Sequence, residues 1–348
     1  MCNGISELVE RELSKLILKA QITSSGAVKL GKYVVCDGHA DSVVRVVTHA
    51  HSDHIIDLDK SIRSIPLIAM TPPTHDILRE LGYIIPQEKC IKLDYNVPFE
   101  IVDEVLELYE SKHIYGSAQV LVEDYEGYRL VYTGDFKLPG TPIIECDVLV
   151  IEATYGSPKH IRPFKGEIEV ILGDFIRNIL SKGPIYIYGY HGKLQEVMEI
   201  LRREGIVAPF IATDKVYRIT KALVKYGLNV GEIYHIESIE AKEIMKTNWY
   251  IVFDHVGSKS TIHNARHSSV YKIFLSGWEF NKPIRRLSER SYVIALSDHA
   301  DFEQLIEYVR NAKPKLVITD AYRESSAIEL ANEIRKKLGI YAIPLPQS

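Results

Sequence analysis

Thr48-His49-Ala50-His51-Ser52-Asp53-His54 follows directly on the apolar run Val43-Val44-Arg45-Val46-Val47. Its pattern is HxHxDH. At a strand end, residues two apart point the same way, so His49 and His51 can grip one cation. If the chain then bends into a turn, Asp53 and His54 can face a second cation close by. Imidazole nitrogen and carboxylate oxygen suit Zn2+ and also accept Mn2+ or Fe. The competing reading is an exposed polar loop, which accounts for the polarity but not for this register.

The chain around this stretch has 348 residues, more than one hydrophobic core usually organises. That predicts two domains, or one domain with a large insertion. An apolar fraction of 46% and a charged fraction of 25% exclude a mostly disordered or fibrous protein. No run approaches the roughly 20 apolar residues of a bilayer span. The start of the chain carries no basic segment followed by an apolar one. Cys2, Cys36, Cys90 and Cys146 form neither a CxxC pair nor a disulfide framework. The expectation is a cytoplasmic protein with no membrane partner.

Residues 5–20 repeat apolar side chains with a helical period, with Ser6 as the candidate N-cap. Short β-rich runs follow, among them 32–36, 67–70, 120–122, 130–132 and 148–151, and Asp124-Tyr125-Glu126-Gly127 predicts a hairpin turn. From about residue 166 helical patterns (167–180, 193–204, 215–226, 239–246) alternate with apolar strands (185–188, 250–253, 272–275), which predicts an α/β domain with a parallel sheet. The last sixty residues read strand, helix (302–311), strand (316–319) and helix (325–338). Residues 157–290 hold 21 Lys+Arg against 14 Asp+Glu, a balance of +7, and the rest of the chain has 21 against 32, a balance of −11. A basic segment in an acidic chain suggests a surface for an anionic partner, and a solvated basic face is the equal alternative.

The HxHxDH stretch resembles the signature of the metallo-β-lactamase superfamily, and further matches follow in order. Asp37 corresponds to the family's first acidic position, which implies that it orients a ligand histidine without binding metal. His113 matches the third histidine and would complete a site with His49 and His51. Asp135, in Tyr132-Thr133-Gly134-Asp135-Phe136, matches the aspartate that bridges two metals. Ile151-Glu152-Ala153-Thr154-Tyr155-Gly156 resembles the acidic first motif of the β-CASP nucleases. Gly192-Lys193-Leu194-Gln195-Glu196 resembles that family's helix start, and Ser297-Asp298-His299-Ala300-Asp301-Phe302 its second motif. With Ser276-Gly277-Trp278, the C-terminal part is most similar to DNA-ligase-associated exonucleases and archaeal mRNA 3′-end processing factors.

The resemblance implies a metallo-β-lactamase αββα sandwich (1–156 and 286–348) with an inserted β-CASP α/β domain (157–285). It implies two Zn2+ per chain, or Mn2+ or Fe, held by His49, His51, Asp53, His54, His113 and Asp135. Asp53, Glu152 and His299 would be catalytic, with His299 holding a phosphoryl oxygen or protonating the leaving oxygen and Glu152 raising its pKa. Lys193 and Gln195 would contact a single-stranded DNA or RNA substrate, and DNA ligase or helicase partners are implied. Tyr186, Tyr188 and Tyr190 can stack bases or pack, with packing favoured.

The third β-CASP motif is histidine in RNA-processing branches and valine in several DNA-processing ones. Here it is Asp320, after Lys315-Leu316-Val317-Ile318-Thr319. It reads either as a metal ligand, at about 2.0–2.2 Å, or as an N-cap of the following helix. The implied activity is metal-dependent phosphodiester hydrolysis, an exonuclease in RNA processing or DNA repair with a slight tilt to DNA. The alternatives are a hydrolase of small esters or thioesters, and a nucleic-acid-binding protein without catalysis. His255, His263 and His267 read as surface or phosphate-facing residues.

Overall fold

The computed structural model describes residues 2–256 and 270–347, with side chains from residue 11 onward. His263 and His267 lie outside the described residues. The chain divides into two compact units, residues 1–161 with 299–348, and residues 162–298.

The first unit holds two sheets. One has six strands in sequence order, Ala20–Ile22, Val28–Leu30, Val34–Cys36, Val44–Val46, Leu67–Met70 and Cys90–Lys92. The other has seven, in the order Tyr341–Leu345, Leu316–Asp320, Val148–Ile151, Arg129–Tyr132, Ala118–Glu123, Glu104–Glu110 and Phe99–Ile101. Period-2 alternation gives each sheet two faces. Val28, Val34, Val44 and Val46 from one sheet and Leu106, Val120, Leu130 and Val148 from the other share one core. The alternate residues Leu121, Val131, Leu149 and Val317 turn the other way. They pack under the helices Phe302–Ala312 and Ala327–Leu338. The helices Leu58–Ser64 and Pro72–Glu80 belong to the first sheet's segment. The N-terminal helix spans Cys2–Lys19, so Ser6 lies inside it and is not its cap.

The second unit is built on one seven-stranded sheet in the order Ile233–His235, Phe210–Ala212, Ile251–His255, Ile185–Gly189, Tyr271–Leu275, Ser291–Ile294 and Ile284–Ser288. All pairs are parallel except the last. Fully buried Ile185–Gly189 is the unbroken apolar run that a central parallel strand needs. Ile284–Ser288 and Ser291–Ile294 extend this sheet, so the unit ends at Asp298 and not at the expected 285. Short strands rich in exposed charge, such as Ile284-Arg285-Arg286-Leu287-Ser288, carry no periodic signal that marks their side of a boundary.

Candidate metal centre

The candidate residues of the first unit gather at the C-terminal ends of its strands. Asp37 follows Val34–Cys36, His49 follows Val44–Val46, His113 follows Glu104–Glu110, Asp135 follows Arg129–Tyr132, and Glu152 follows Val148–Ile151. The Ala118 amide donates to the Thr48 carbonyl at 3.0 Å, which ties the second sheet to the HxHxDH loop. Gly134 holds a φ of +51°, and a Cβ there would sit 3.1 Å from the Ala118 carbonyl oxygen. Glycine therefore lets the chain turn tightly just before Asp135.

Four donor atoms converge. His51 Nδ1 lies 3.2 Å from His49 Nε2 and 3.0 Å from His113 Nε2. Asp135 Oδ2 is 3.4 Å from His49 Nε2 and 3.6 Å from His113 Nε2. A tetrahedral ion with bonds of about 2.0–2.1 Å needs donors about 3.3–3.4 Å apart, which this spacing matches. Burial, with His54 and His113 nearby, holds His49 well below its ordinary pKa, so its ring is neutral and offers a lone pair.

A second group shares Asp135. His54 Nε2 is 3.3 Å from Asp135 Oδ2 and 3.5 Å from Asp53 Oδ2. That nitrogen is buried without a hydrogen-bond partner, as expected of a ligand atom. Burial opposes a charge on His54, yet Asp135 and Asp37 push its pKa up to about 10, so this pocket attracts positive charge. The donor set and the orphaned nitrogen fit a metal centre.

Asp37 sits behind the ligands, fully buried. Its Oδ1 accepts from the Thr48 amide at 2.8 Å, and its Oδ2 from Thr48 Oγ1 at 2.6 Å and His54 Nδ1 at 2.7 Å. Burial works to raise its pKa, but His54, Arg323 and Thr48 hold it below the usual value.

Glu152 and His299 form the other half of the site. His299 Nδ1 is 3.0 Å from Glu152 Oε2 and 4.0 Å from Asp135 Oδ2. Glu152 Oε1 accepts from the Phe136 amide at 2.8 Å and Oε2 from Thr154 Oγ1 at 2.7 Å. Asp135, Glu152 and His299 also form a trio able to hold a cation. Burial raises the Glu152 pKa against the opposing pull of His299.

No family profile matches the chain. An "uncharacterized protein in lig 3′region" of Acidianus ambivalens is 46% identical over 138 residues, covering 39% of this chain and 99% of that protein. A "probable DNA ligase" of Opitutus terrae is 24% identical over 86% of this chain, and the chain spans 28% of the ligase. The "probable RNase MJ4" of Methanocaldococcus jannaschii is 25% identical over 90% of both chains. The chain resembles the β-CASP nucleases, and its relatives carry the names of an RNase and a DNA ligase. A solved "protein of unknown function" from Enterococcus faecalis superposes with a TM-score of 0.63 at 14% identity, covering 94% of this chain and 96% of its own, a likeness of fold.

Asp320 does not join the cluster. Its Oδ1 accepts from the Tyr322 and Arg323 amides at 3.0 and 3.2 Å, and its Oδ2 from Arg323 Nη1 at 2.7 Å. Both expectations for it give way. It is committed to a turn and an ion pair, and Ser326, not Asp320, precedes the helix Ala327–Leu338. Gln195, in the second unit, is also corrected. It is fully buried, accepts from the Gly192 amide at 2.7 Å and donates to Thr220 Oγ1 at 2.8 Å, so it caps the helix Lys193–Arg203. Lys193 pairs with Asp298 at 2.9 Å. Tyr186 and Tyr188 are buried, with Tyr188 stacked on Phe274, and Tyr190 is exposed.

Sequence reasoning missed four residues of the site. Thr48 and Thr154 stood inside the quoted motifs, where hydroxyls flanking a histidine and a glutamate were the available signal. Arg323 and Glu324 had none. Burial, together with Glu152, Asp135 and Asp53 and against His299, pushes the Glu324 carboxyl up to about 7.

Proposed function

We propose that this chain is a metal-dependent nuclease that hydrolyses phosphodiester bonds of single-stranded DNA or RNA with two metal ions. In this reading the first unit is the metallo-β-lactamase αββα sandwich and residues 162–298 are the β-CASP insertion. The observation that carries it is Asp135, whose Oδ2 lies within 3.6 Å of His49, His54 and His113 together and 4.0 Å from His299. A carboxylate so placed is shared by both groups of candidate ligands and lies beside a proton-transfer group.

When bound, metal ions here would lower the pKa of a water towards neutrality and offset charge on the phosphoryl oxygens. His49, His51 and His113 would hold the first ion with Asp135, and Asp53 and His54 the second. His299 supplies the proton for the departing oxygen or holds a phosphoryl oxygen. Glu152 fixes the imidazole through Nδ1, and Thr154 anchors Glu152. The +7 balance of residues 157–290 supports a backbone-tracking role for the second unit without base readout. The ligase-related names of two relatives support a DNA ligase as a partner.

The test is incubation of the purified protein with labelled single-stranded DNA, single-stranded RNA and a small thioester, each with and without chelator. Chelator-sensitive cleavage of either nucleic acid is expected. Thioester hydrolysis alone would favour a small-ester hydrolase, and retention of nucleic acid without cleavage would favour a binding protein.

A further inference from the structure

The turn after the strand Leu316–Asp320 holds a buried guanidinium that the catalytic scheme leaves unused. Arg323 donates from Nε to the Asp53 carbonyl at 3.2 Å, from Nη2 to the Gly26 carbonyl at 3.0 Å, and from Nη1 to Asp320 Oδ2 at 2.7 Å. The side chains of Arg323 and Asp320 are 5% and 2% exposed. Asp320 is itself anchored through Oδ1 by two backbone amides. A planar fork can serve three acceptors in fixed directions, which a lysine ammonium on a flexible stem does not reproduce.

The Asp53 carbonyl belongs to the peptide that joins Asp53 to His54, the two candidate ligands of the second ion alone. The Asp53 side chain is 56% exposed, so packing does little to orient it, and the constraint falls on the backbone. Among the described residues, Arg323 hydrogen-bonds none of His49, His51 and His113. Its grip is confined to one end of the centre.

We propose that Arg323 is a positioning residue that sets cation affinity at the Asp53–His54 end of the centre, acting through the Asp53–His54 peptide while keeping Asp320 out of the ligand set. The inference rests on the two-ion reading above. Partners behind metal ligands typically change affinity by about 10–100-fold, and the asymmetry of the contacts directs that change to one ion.

The test is a titration of metal-free protein with Mn2+, without nucleic acid, followed by calorimetry and by electron paramagnetic resonance of the bound ions. Arg323→Lys keeps the charge and loses the fork. It should weaken the second ion by roughly 10–100-fold and leave the first unchanged. Wild-type affinity at both ions, equal weakening of both, or tighter binding of the second would overturn the proposal. Tighter binding would mean that Asp320 is a ligand that Arg323 restrains. If Arg323→Lys does not fold, Asp320→Asn keeps the turn and loosens the ion pair. It should weaken the second ion alone by up to about tenfold, and unchanged affinity overturns the proposal. A wild-type protein that binds one ion also overturns it. A wild-type protein that binds two ions and cleaves no nucleic acid overturns the nuclease reading and leaves this one standing.

Discussion

His54 Nδ1 meets Asp37 Oδ2 at 2.7 Å, and the other ring nitrogen, Nε2, thereby faces Asp135 at 3.3 Å. One buried carboxylate so fixes the proton on Nδ1 and leaves Nε2 as the nitrogen turned towards the candidate ion position. Asp37 does this from a left-handed backbone, φ +58°, a conformation that aspartate tolerates better than most residues. The same carboxylate collects both the amide and the hydroxyl of Thr48, so the loop that carries four candidate ligands hangs on it.

Replacing Asp37 by asparagine keeps the shape and removes the charge. The tautomer of His54 is then no longer enforced, and cation affinity at the Asp53–His54 end should fall by about 10–100-fold. Competition with a fluorescent zinc chelator reads this directly. Wild-type affinity in the variant would contradict the role given to Asp37.

His299 is bonded to Glu152, 4.0 Å from the nearest Asp135 oxygen, in a trio that could itself hold a cation. If it serves the proton, His299→Ala retains its metal and loses about 10²–10⁴-fold in rate. The loss should shrink with a p-nitrophenolate leaving group, which needs no proton. Missing metal in the variant, or an equal loss on both substrates, would show that His299 is a ligand or a structural residue.

Asp320 and Arg323 form a pair with almost no exposure. Asp320→Ala leaves a buried guanidinium without its carboxylate, a change that costs about 3–5 kcal/mol in comparable pairs. Denaturant melts should show a loss of that size, several times what removal of a helix cap costs. A melt within about 1 kcal/mol of wild type would contradict the pairing.

Gln195→Ala should destabilise the protein by about 1–3 kcal/mol, because the Gly192 amide and the Thr220 hydroxyl lose a buried partner. Its affinity for a labelled oligonucleotide should stay at the wild-type value, measured by anisotropy under conditions where both proteins are folded. A selective loss of oligonucleotide binding would return Gln195 to the substrate surface.

The parts legible in the sequence were those where chemistry and spacing coincide locally. HxHxDH puts four candidate ligands within six residues of one strand end, and alternation of apolar residues marks the strands that present Asp135 and Glu152. Gln195 shows where likeness misleads, since a glycine followed three residues later by glutamine is also the pattern of a helix cap. Arg323 lies 270 residues from Asp53, and a single arginine after a strand has no periodicity to announce a contact over that separation. The length of the second unit was misjudged for a related reason. An edge strand with four exposed positions shows no apolar alternation, so only its partner strand reveals its place in the sheet.

Cleavage of a labelled single strand by the metal-loaded protein, compared with Asp135→Ala of verified fold and metal content, is where the two-ion nuclease reading stands or falls. Asp135 is the one side chain shared by both candidate ion groups and adjacent to His299. Chelator-sensitive cleavage by the wild-type protein is expected, with reduced metal content and only background cleavage in Asp135→Ala. Cleavage by Asp135→Ala at the wild-type rate, or wild-type cleavage that persists after complete removal of metal, would contradict the account.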